Sequence, residues 1–95
     1  MAMISVKILL FATLRSKYKT RELAVACDGT LLSMIENASK ILGPEFIDDV
    51  YDRNRGKIRD DMIIMVNGRN IKDLKGEITL KDNDVIAIFP PLAGG

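Results

Sequence analysis

The feature that most constrains the fold is one long stretch of helical periodicity, from Leu31 to Leu42. Its apolar residues recur every three or four positions and therefore share one helix face: Leu31, Ile35, Ala38 and Leu42. Asp28-Gly29-Thr30 offers a turn and a helix N-cap before this stretch, and Gly43-Pro44 ends it. Pro44 can begin a short second helix whose inward residues are Phe46, Ile47 and Val50. One main helix must therefore cover the core.

The residues before this helix are typical of two strands. Ile4 to Ala12 alternates with period two and contains β-branched residues, which predicts a strand. Arg15 to Thr20 is polar and basic, and Leu23 to Cys27 is a second apolar run. We expect a hairpin in which the basic residues Arg15, Lys17, Lys19 and Arg21 form a solvated tip or meet an acidic partner.

Further short strands follow the helix. Met62 to Val66 is apolar on both faces and is followed by the turn signal Asn67-Gly68. Ile71 is predicted to close a short edge strand, and Val85 to Phe89 forms the last strand. Asp52 to Asp61 is charged, has no periodicity and is interpreted as a loop. Strands grouped around one main helix predict an α+β fold, with a mixed sheet packed on that helix.

Composition excludes several classes of function. The 95 residues contain no histidine and one cysteine, so the commonest general base and metal ligand are absent and no metal site is expected. The balance of 14 basic and 13 acidic residues gives no reason to expect nucleic acid or a membrane as partner. A lone cysteine and the lack of a signal-peptide pattern predict a cytoplasmic protein. We expect a protein that acts through a partner and is not itself an enzyme.

The last six residues, 90–95, are the most unusual part of the chain. Pro90 and Pro91 fix φ and deny ladder hydrogen bonds, so residues 1–89 are predicted to form the domain and residues 90–95 an extended tail. At about 3.1 Å per residue, such a tail reaches roughly 19 Å. Gly94 and Gly95 carry no side chains, so the terminal carboxylate could enter a narrow channel in another protein.

Two segments carry a resemblance to a known family. Leu80 to Gly95, with its Phe-Pro-Pro-Leu-Ala-Gly-Gly ending, resembles the C-terminal signature of the MoaD family, the small subunit of molybdopterin synthase. Val6 to Arg15 is similar to the start of that family, and the element order resembles the β-grasp, or ubiquitin-like, fold. There are two departures: Asn83 stands where glycine is usual, and the Asp52 to Asp61 loop lengthens the chain.

The resemblance implies a sulfur carrier. A ubiquitin-activating-like enzyme of the MoeB type would use ATP to adenylate the Gly95 carboxylate, and sulfur transfer would then give a thiocarboxylate. The loaded tail would enter the large subunit, of the MoaE type, and donate sulfur to a pterin precursor. The chain itself would need no cofactor. The same terminal carboxylate would also serve a ubiquitin-like protein modifier, or a sulfur carrier for thiamine synthesis or tRNA thiolation.

A binding surface is predicted beside the tail. By resemblance to the register of ubiquitin, Ile86 and Ile88 point into the core, whereas Ala87 and Phe89 point outward. Leu9 and Phe11 likewise oppose the inward set of the first strand. The predicted partner-binding residues, on this patch and along the tail, are Leu9, Phe11, Ala87, Phe89, Pro90, Pro91, Leu92 and Ala93. Alternatively, the long loop folds over part of this face. Cys27, at the end of an apolar strand, is predicted to be buried and inert.

Overall fold

The computed structural model describes residues 3–91 of the chain. Its strands are β1 (Ile4–Leu10), β2 (Glu22–Cys27), β3 (Tyr51–Asp52), β4 (Lys57–Ile58), β5 (Ile63–Val66), β6 (Arg69–Asn70) and β7 (Val85–Phe89). Its helices are α1 (Ala12–Tyr18), α2 (Leu31–Leu42), α3 (Glu45–Val50) and a short 3₁₀ helix (Ile71–Asp73). Within this part of the chain, no helix is both long and apolar enough to cross a membrane.

Five of the strands form one mixed sheet in the order β2-β1-β7-β5-β6. The central pair, β1 and β7, is parallel, with Lys7 opposite Val85 and Leu10 opposite Ile88. The β1–β2, β5–β7 and β5–β6 pairs are antiparallel. A parallel pair requires a long crossover connection, which here contains α2. This arrangement confirms the predicted α+β class and the β-grasp fold.

The core lies between the inner face of the sheet and α2. Ile86 and Ile88 are fully buried, as predicted. The inward side chains of β1, β2 and β5 are buried with them: Val6, Ile8, Leu10, Val25, Cys27 and Ile64. From α2 and α3, Met34, Ile35, Ala38, Phe46 and Val50 close the core on the opposite side. Period-two strands and a period-3.6 helix therefore bury the faces that the sequence indicated.

The ends of α2 follow the capping signals. The Thr30 hydroxyl accepts a hydrogen bond from the Ser33 N–H at 3.1 Å, which satisfies one of the free amides at the N-terminus. The Gly43 N–H donates to the Ser39 carbonyl at 2.8 Å where the helix ends. Gly43 has φ 132°, a conformation that L side chains rarely adopt, so the glycine is required for the turn into α3.

The segment between β1 and β2 is a helix, and the prediction of a simple hairpin loop was wrong. Helix α1 begins at Ala12 and buries Leu14, while Tyr18 packs edge-on against the Phe46 ring at 5.5 Å. Strand β1 accordingly ends at Leu10 and not at Ala12. The left-handed backbone of Ala12, at φ 53°, starts the change of direction.

Helix α1 also places three of the basic residues at a helix C-terminus. Arg15 and Lys17 lie in its last turn, and Lys19 caps it in a left-handed conformation, with its N–H bonded to the Arg15 carbonyl. These cations complement the partial negative charge of the helix C-terminus. They are therefore part of a helix end and do not form the tip of a hairpin.

The Asp52 to Asp61 segment is also more regular than predicted. It contains a hairpin in which β3 pairs with β4, so that Tyr51 lies opposite Ile58. The Asp52 carboxylate accepts the backbone N–H groups of Asn54 and Arg55 and closes the turn. Two-residue strands are too short to produce a visible period, which is why the sequence indicated a loop. The predicted edge strand at Ile71 is shifted: β6 ends at Asn70, and Ile71 begins the 3₁₀ helix.

Candidate partner-binding face and tail base

The register of the sheet brings the predicted patch residues together. Leu9 of β1 lies opposite Ala87 of β7, and Phe89 lies opposite Ile63 of β5. Leu9, Phe11, Ala87 and Phe89 all keep part of their surface exposed. Because these positions alternate with fully buried ones, they lie on the side of the sheet away from α2.

An aromatic pair lies at the end of the sheet nearest the tail. The rings of Phe11 and Phe89 stack with centroids 4.3 Å apart and an interplanar angle of 14°. The Arg15 guanidinium lies 5.3 Å from the centroid of the Phe11 ring, and its Nε donates to the Leu10 carbonyl at 3.1 Å. These contacts hold two large apolar side chains in fixed positions at the surface.

Sequence reasoning missed two members of this surface. Ile63, 45% exposed, and the half-buried Met65 lie on the same side of β5, opposite Phe89 and Ala87. Strand β5 is apolar on both faces, so period two could not distinguish its sides. Pairing with β7 could have done so, because Ile64 lies opposite the buried Ile88. We call this surface the outer face; it consists of Leu9, Phe11, Ile63, Met65, Ala87 and Phe89.

The β3–β4 hairpin and the residues after it, up to Asp61, form hydrogen bonds with the helical side of the molecule. The Arg59 N–H donates to the Val50 carbonyl at the end of α3 at 2.9 Å. The Lys72 ammonium, in the 3₁₀ helix, donates to the Asp60 carbonyl at 3.1 Å. These bonds direct the hairpin toward α3 and the 3₁₀ helix, and the outer face keeps its exposed surface. The alternative in which the long loop covers the patch is therefore not what the fold adopts.

The chain reaches the surface at Pro91. Pro90 is buried, whereas Pro91 is exposed. Both prolines line a groove of about 310 Å³ with residues of α1, α3 and the segment before β5: Thr13, Leu14, Lys17, Asp49, Arg59, Asp61 and Met62. We call this groove the tail base. The other predicted tail residues, Leu92, Ala93, Gly94 and Gly95, lie outside the described residues.

Charged side chains interlock at the tail base. The Asp49 carboxylate accepts hydrogen bonds from the Tyr18 hydroxyl and from the Lys17 ammonium, the latter at 2.9 Å. Lys17 also pairs with Glu45 at 3.2 Å. Partial burial and the bond to Asp49 raise the pKa of Tyr18 to about 12. The bonds to Asp49 and Glu45 raise the pKa of Lys17. Both groups therefore keep their protons at neutral pH.

The described residues offer little chemistry of their own. Cys27 is fully buried at the end of β2, as predicted. Across residues 3–91, no group of histidine, cysteine, aspartate and glutamate side chains could hold a metal ion. What remains is an exposed apolar surface that adjoins Pro90 and Pro91, the last residues that the structure describes.

Known proteins are similar to this chain in sequence and in fold. The ThiS family profile matches residues 8–95. The molybdopterin synthase sulfur carrier subunit of Drosophila melanogaster is 34% identical over 97% of this chain and 92% of its own length. The solution structure of small archaeal modifier protein 1 from Methanosarcina acetivorans is 29% identical, with a TM-score of 0.80 over 100% of both chains.

A further solved structure is a putative molybdopterin converting factor, subunit 1, from Pyrococcus furiosus. It is 28% identical, with a TM-score of 0.67 over 94% of this chain and 99% of that one. These proteins have the β-grasp architecture in common with this chain. The profile match spans most of the residues, and the Drosophila melanogaster relative is a carrier subunit of the kind that the tail motif indicated. The chain therefore belongs to the ThiS family, among the MoaD-like sulfur carriers.

Proposed function

We propose that this protein is the sulfur carrier subunit of a molybdopterin synthase, and that it carries sulfur as a thiocarboxylate on Gly95. The observation that carries the proposal is the continuity of the outer face with the tail base. Phe89, the last residue of β7, stacks on Phe11 at the surface and is followed directly by the buried Pro90. A partner that binds the outer face would therefore receive the C-terminal segment.

The proposed chemistry requires activation of the carboxylate. A carboxylate is a poor electrophile because its carbon is shielded by delocalised negative charge. An adenylating enzyme would join the Gly95 carboxylate to the α-phosphate of ATP and release pyrophosphate. Hydrosulfide would then attack the acyl carbon and expel AMP, which gives the thiocarboxylate directly. With a persulfide donor, the attack would give an acyl disulfide, and a thiol would have to reduce it to release the thiocarboxylate. The ATP site would belong to the enzyme, so the carrier needs no cofactor.

The proposed partners are an adenylating enzyme of the MoeB type and a synthase large subunit of the MoaE type. The outer face is apolar and half exposed, a composition typical of the centre of a protein interface. The carrier would contribute no general acid or base, in keeping with a sequence that has no histidine. The large subunit would supply the pterin pocket and the catalytic residues.

The test is sulfur loading followed by intact-mass analysis. The protein ending at Gly95 is incubated with its adenylating enzyme, ATP and a sulfur donor. We expect a mass increase equal to the difference between one sulfur and one oxygen atom. The matched control omits ATP and should show no increase. An unchanged mass with an enzyme of verified activity would contradict the proposal.

One observation favours a second function, protein modification. Small archaeal modifier protein 1, whose name describes a modifier, matches this chain over its whole length. A lysine amine that attacks the same acyl adenylate would give an isopeptide. Products larger than the carrier that retain its C-terminal peptide on a lysine would support this function. A thiocarboxylate without such conjugates would support the sulfur carrier alone.

A further inference from the structure

The tail base joins three elements that are distant in sequence. Lys17 comes from α1, Asp49 from α3, and Arg59 from the segment between β4 and β5. All three line the same groove as Pro90 and Pro91. Arg59 pairs with Asp61 at 3.2 Å, beside the same prolines. The charged side chains that line this groove beside Pro90 and Pro91 therefore form a rim that contains both signs of charge.

Asp49 is the less exposed of the two carboxylates in this rim. Its side chain is 27% exposed, whereas that of the preceding residue, Asp48, is 65% exposed. Asp49 binds both Lys17 and Tyr18, so it fastens α1 to α3. Tyr18 in turn packs on the buried Phe46 ring, which connects the rim to the core. Asp48 makes only an exposed pair with Arg53, at 3.0 Å.

A small change in the direction of the chain at Pro91 would move the C-terminal carboxyl carbon by a large distance. The four residues after Pro91 span roughly 12 Å when extended at about 3.1 Å per residue. A rotation of about 10° at Pro91 then moves the terminal carbon by roughly 2 Å. A misplacement of about 1 Å can cost on the order of 100-fold in rate when reacting groups are otherwise positioned.

We propose that Asp49, held by Lys17 and Tyr18, is a positioning residue that fixes the direction in which the C-terminal segment leaves the domain. The inference rests on the proposed function, because direction matters only if the Gly95 carboxylate is delivered into a partner. It assigns two separate tasks to neighbouring regions. The outer face sets how tightly the partner binds, and the tail base sets how often a bound carrier presents its terminus productively.

The experiment is steady-state kinetics of sulfur loading with the adenylating enzyme, with Asp49→Asn compared against Asp48→Asn. Asp49→Asn keeps the size of the side chain but removes the charge that binds Lys17. We expect it to lower kcat by about 3- to 10-fold with little change in KM, because the outer face is intact. Asp48→Asn, on the same helix, should leave both constants unchanged.

Tyr18→Phe provides a second variant should Asp49→Asn unfold the domain. It removes one hydrogen bond to Asp49 without changing charge, and we expect a smaller loss of kcat, again without a change in KM. Rates are measured at a temperature where thermal melts show each variant to be fully folded. An unchanged kcat in both variants, or a raised KM with unchanged kcat, would overturn the inference.

A readout that needs no sulfur chemistry separates this inference from the proposed function. The ¹³C relaxation order parameter of the Pro91 Cα–Hα bond reports how firmly the tail base is held. We expect it to fall in Asp49→Asn and to stay the same in Asp48→Asn. If it is unchanged in both, the positioning role is wrong. If wild-type protein accepts no sulfur while this order parameter falls as expected, only the proposed function fails.

Discussion

The outer face and the tail base adjoin at the end of β7, but only the tail base contains charged side chains. The outer face is apolar, and its largest contact is the stacked pair of Phe11 and Phe89. The tail base combines apolar residues with four charged ones, among them the Asp49 carboxylate, which accepts hydrogen bonds from two donors. Apolar contact area gives affinity without strict geometry, whereas hydrogen-bonded charges fix orientation. This difference is what we expect if docking and delivery are handled by separate regions, as proposed.

The largest effect should come from changing the end of the chain. Removal of Gly94 and Gly95 should abolish sulfur loading, because the new terminus at Ala93 falls short and carries a methyl group. Addition of one residue after Gly95 should be equally damaging, because it moves the reacting carbon by about 3 Å. The melting temperature should not change in either variant, because all the buried core residues precede the altered positions.

A truncated or extended chain that still loads sulfur at the normal rate would contradict the role of Gly95. Partner binding through the outer face should survive in part in both variants. Calorimetric titration with the large subunit checks this. Complete loss of binding would show that the outer face does not act independently of the tail.

Adjacent residues of β5 test which side of the sheet is functional. Ile64→Ala should lower the free energy of unfolding by about 2 to 5 kcal/mol, because Ile64 is fully buried. Ile63→Ser should change it by less than about 1 kcal/mol, because Ile63 is 45% exposed. Urea denaturation measures both. Partner affinity, measured per folded molecule, should fall more in Ile63→Ser than in Ile64→Ala. Equal losses of stability in the two variants would contradict the assignment of the two faces.

The aromatic pair should contribute more to binding than to folding. Phe89→Ala and Phe11→Ala should each weaken partner binding by about 2 kcal/mol, or roughly 30-fold. Lys7→Ala is the matched control, because Lys7 is exposed on the same side of the sheet, opposite Val85. Titration calorimetry and thermal melts are compared for each variant. A collapsed melting transition with unchanged affinity per folded molecule would place both rings in the core.

The smallest effect concerns the titration of Tyr18. Its pKa is raised from 10.0 to about 12 by burial and by the bond to Asp49. The neutral phenol is therefore favoured in the folded state, so this contribution to stability is complete below pH 10 and is lost as the pH rises toward 12. Asp49→Asn should shift the titration to lower pH in an ultraviolet absorbance experiment. A Tyr18 pKa that is the same in the variant would show that the bond to Asp49 is weak.

The sequence predicted the parts of the fold that repeat with a visible period. Strands β1, β2 and β7 and helix α2 each bury one face, so the positions of Ile8 and Ile35 in the core followed from spacing. That of Ile86 followed from the resemblance to the register of ubiquitin. Helix α1 was missed because it has seven residues and buries only Leu14. Two-residue strands such as β3 and β4 show no period at all.

The candidate site was predicted in part for the same reason. Leu9, Phe11, Ala87 and Phe89 alternate with core residues, and the resemblance to the register of ubiquitin indicated which side of the sheet they occupy. Ile63 could not, because its own strand is apolar on both faces and only pairing with β7 fixes its side. The tail base could not be predicted from the sequence. Lys17 and Asp49 are 32 positions apart, and only the packing of α1 against α3 brings them into contact.

Fragmentation mass spectrometry of the loaded protein shows whether sulfur is carried by the carboxyl group of Gly95, as proposed. The alternative position is Cys27, the one thiol in the sequence, which is fully buried. We expect the added mass in fragments that contain the C-terminal glycine and in none that contain Cys27 without it. Added mass on the fragment with Cys27, with an unmodified C-terminal fragment, would contradict it.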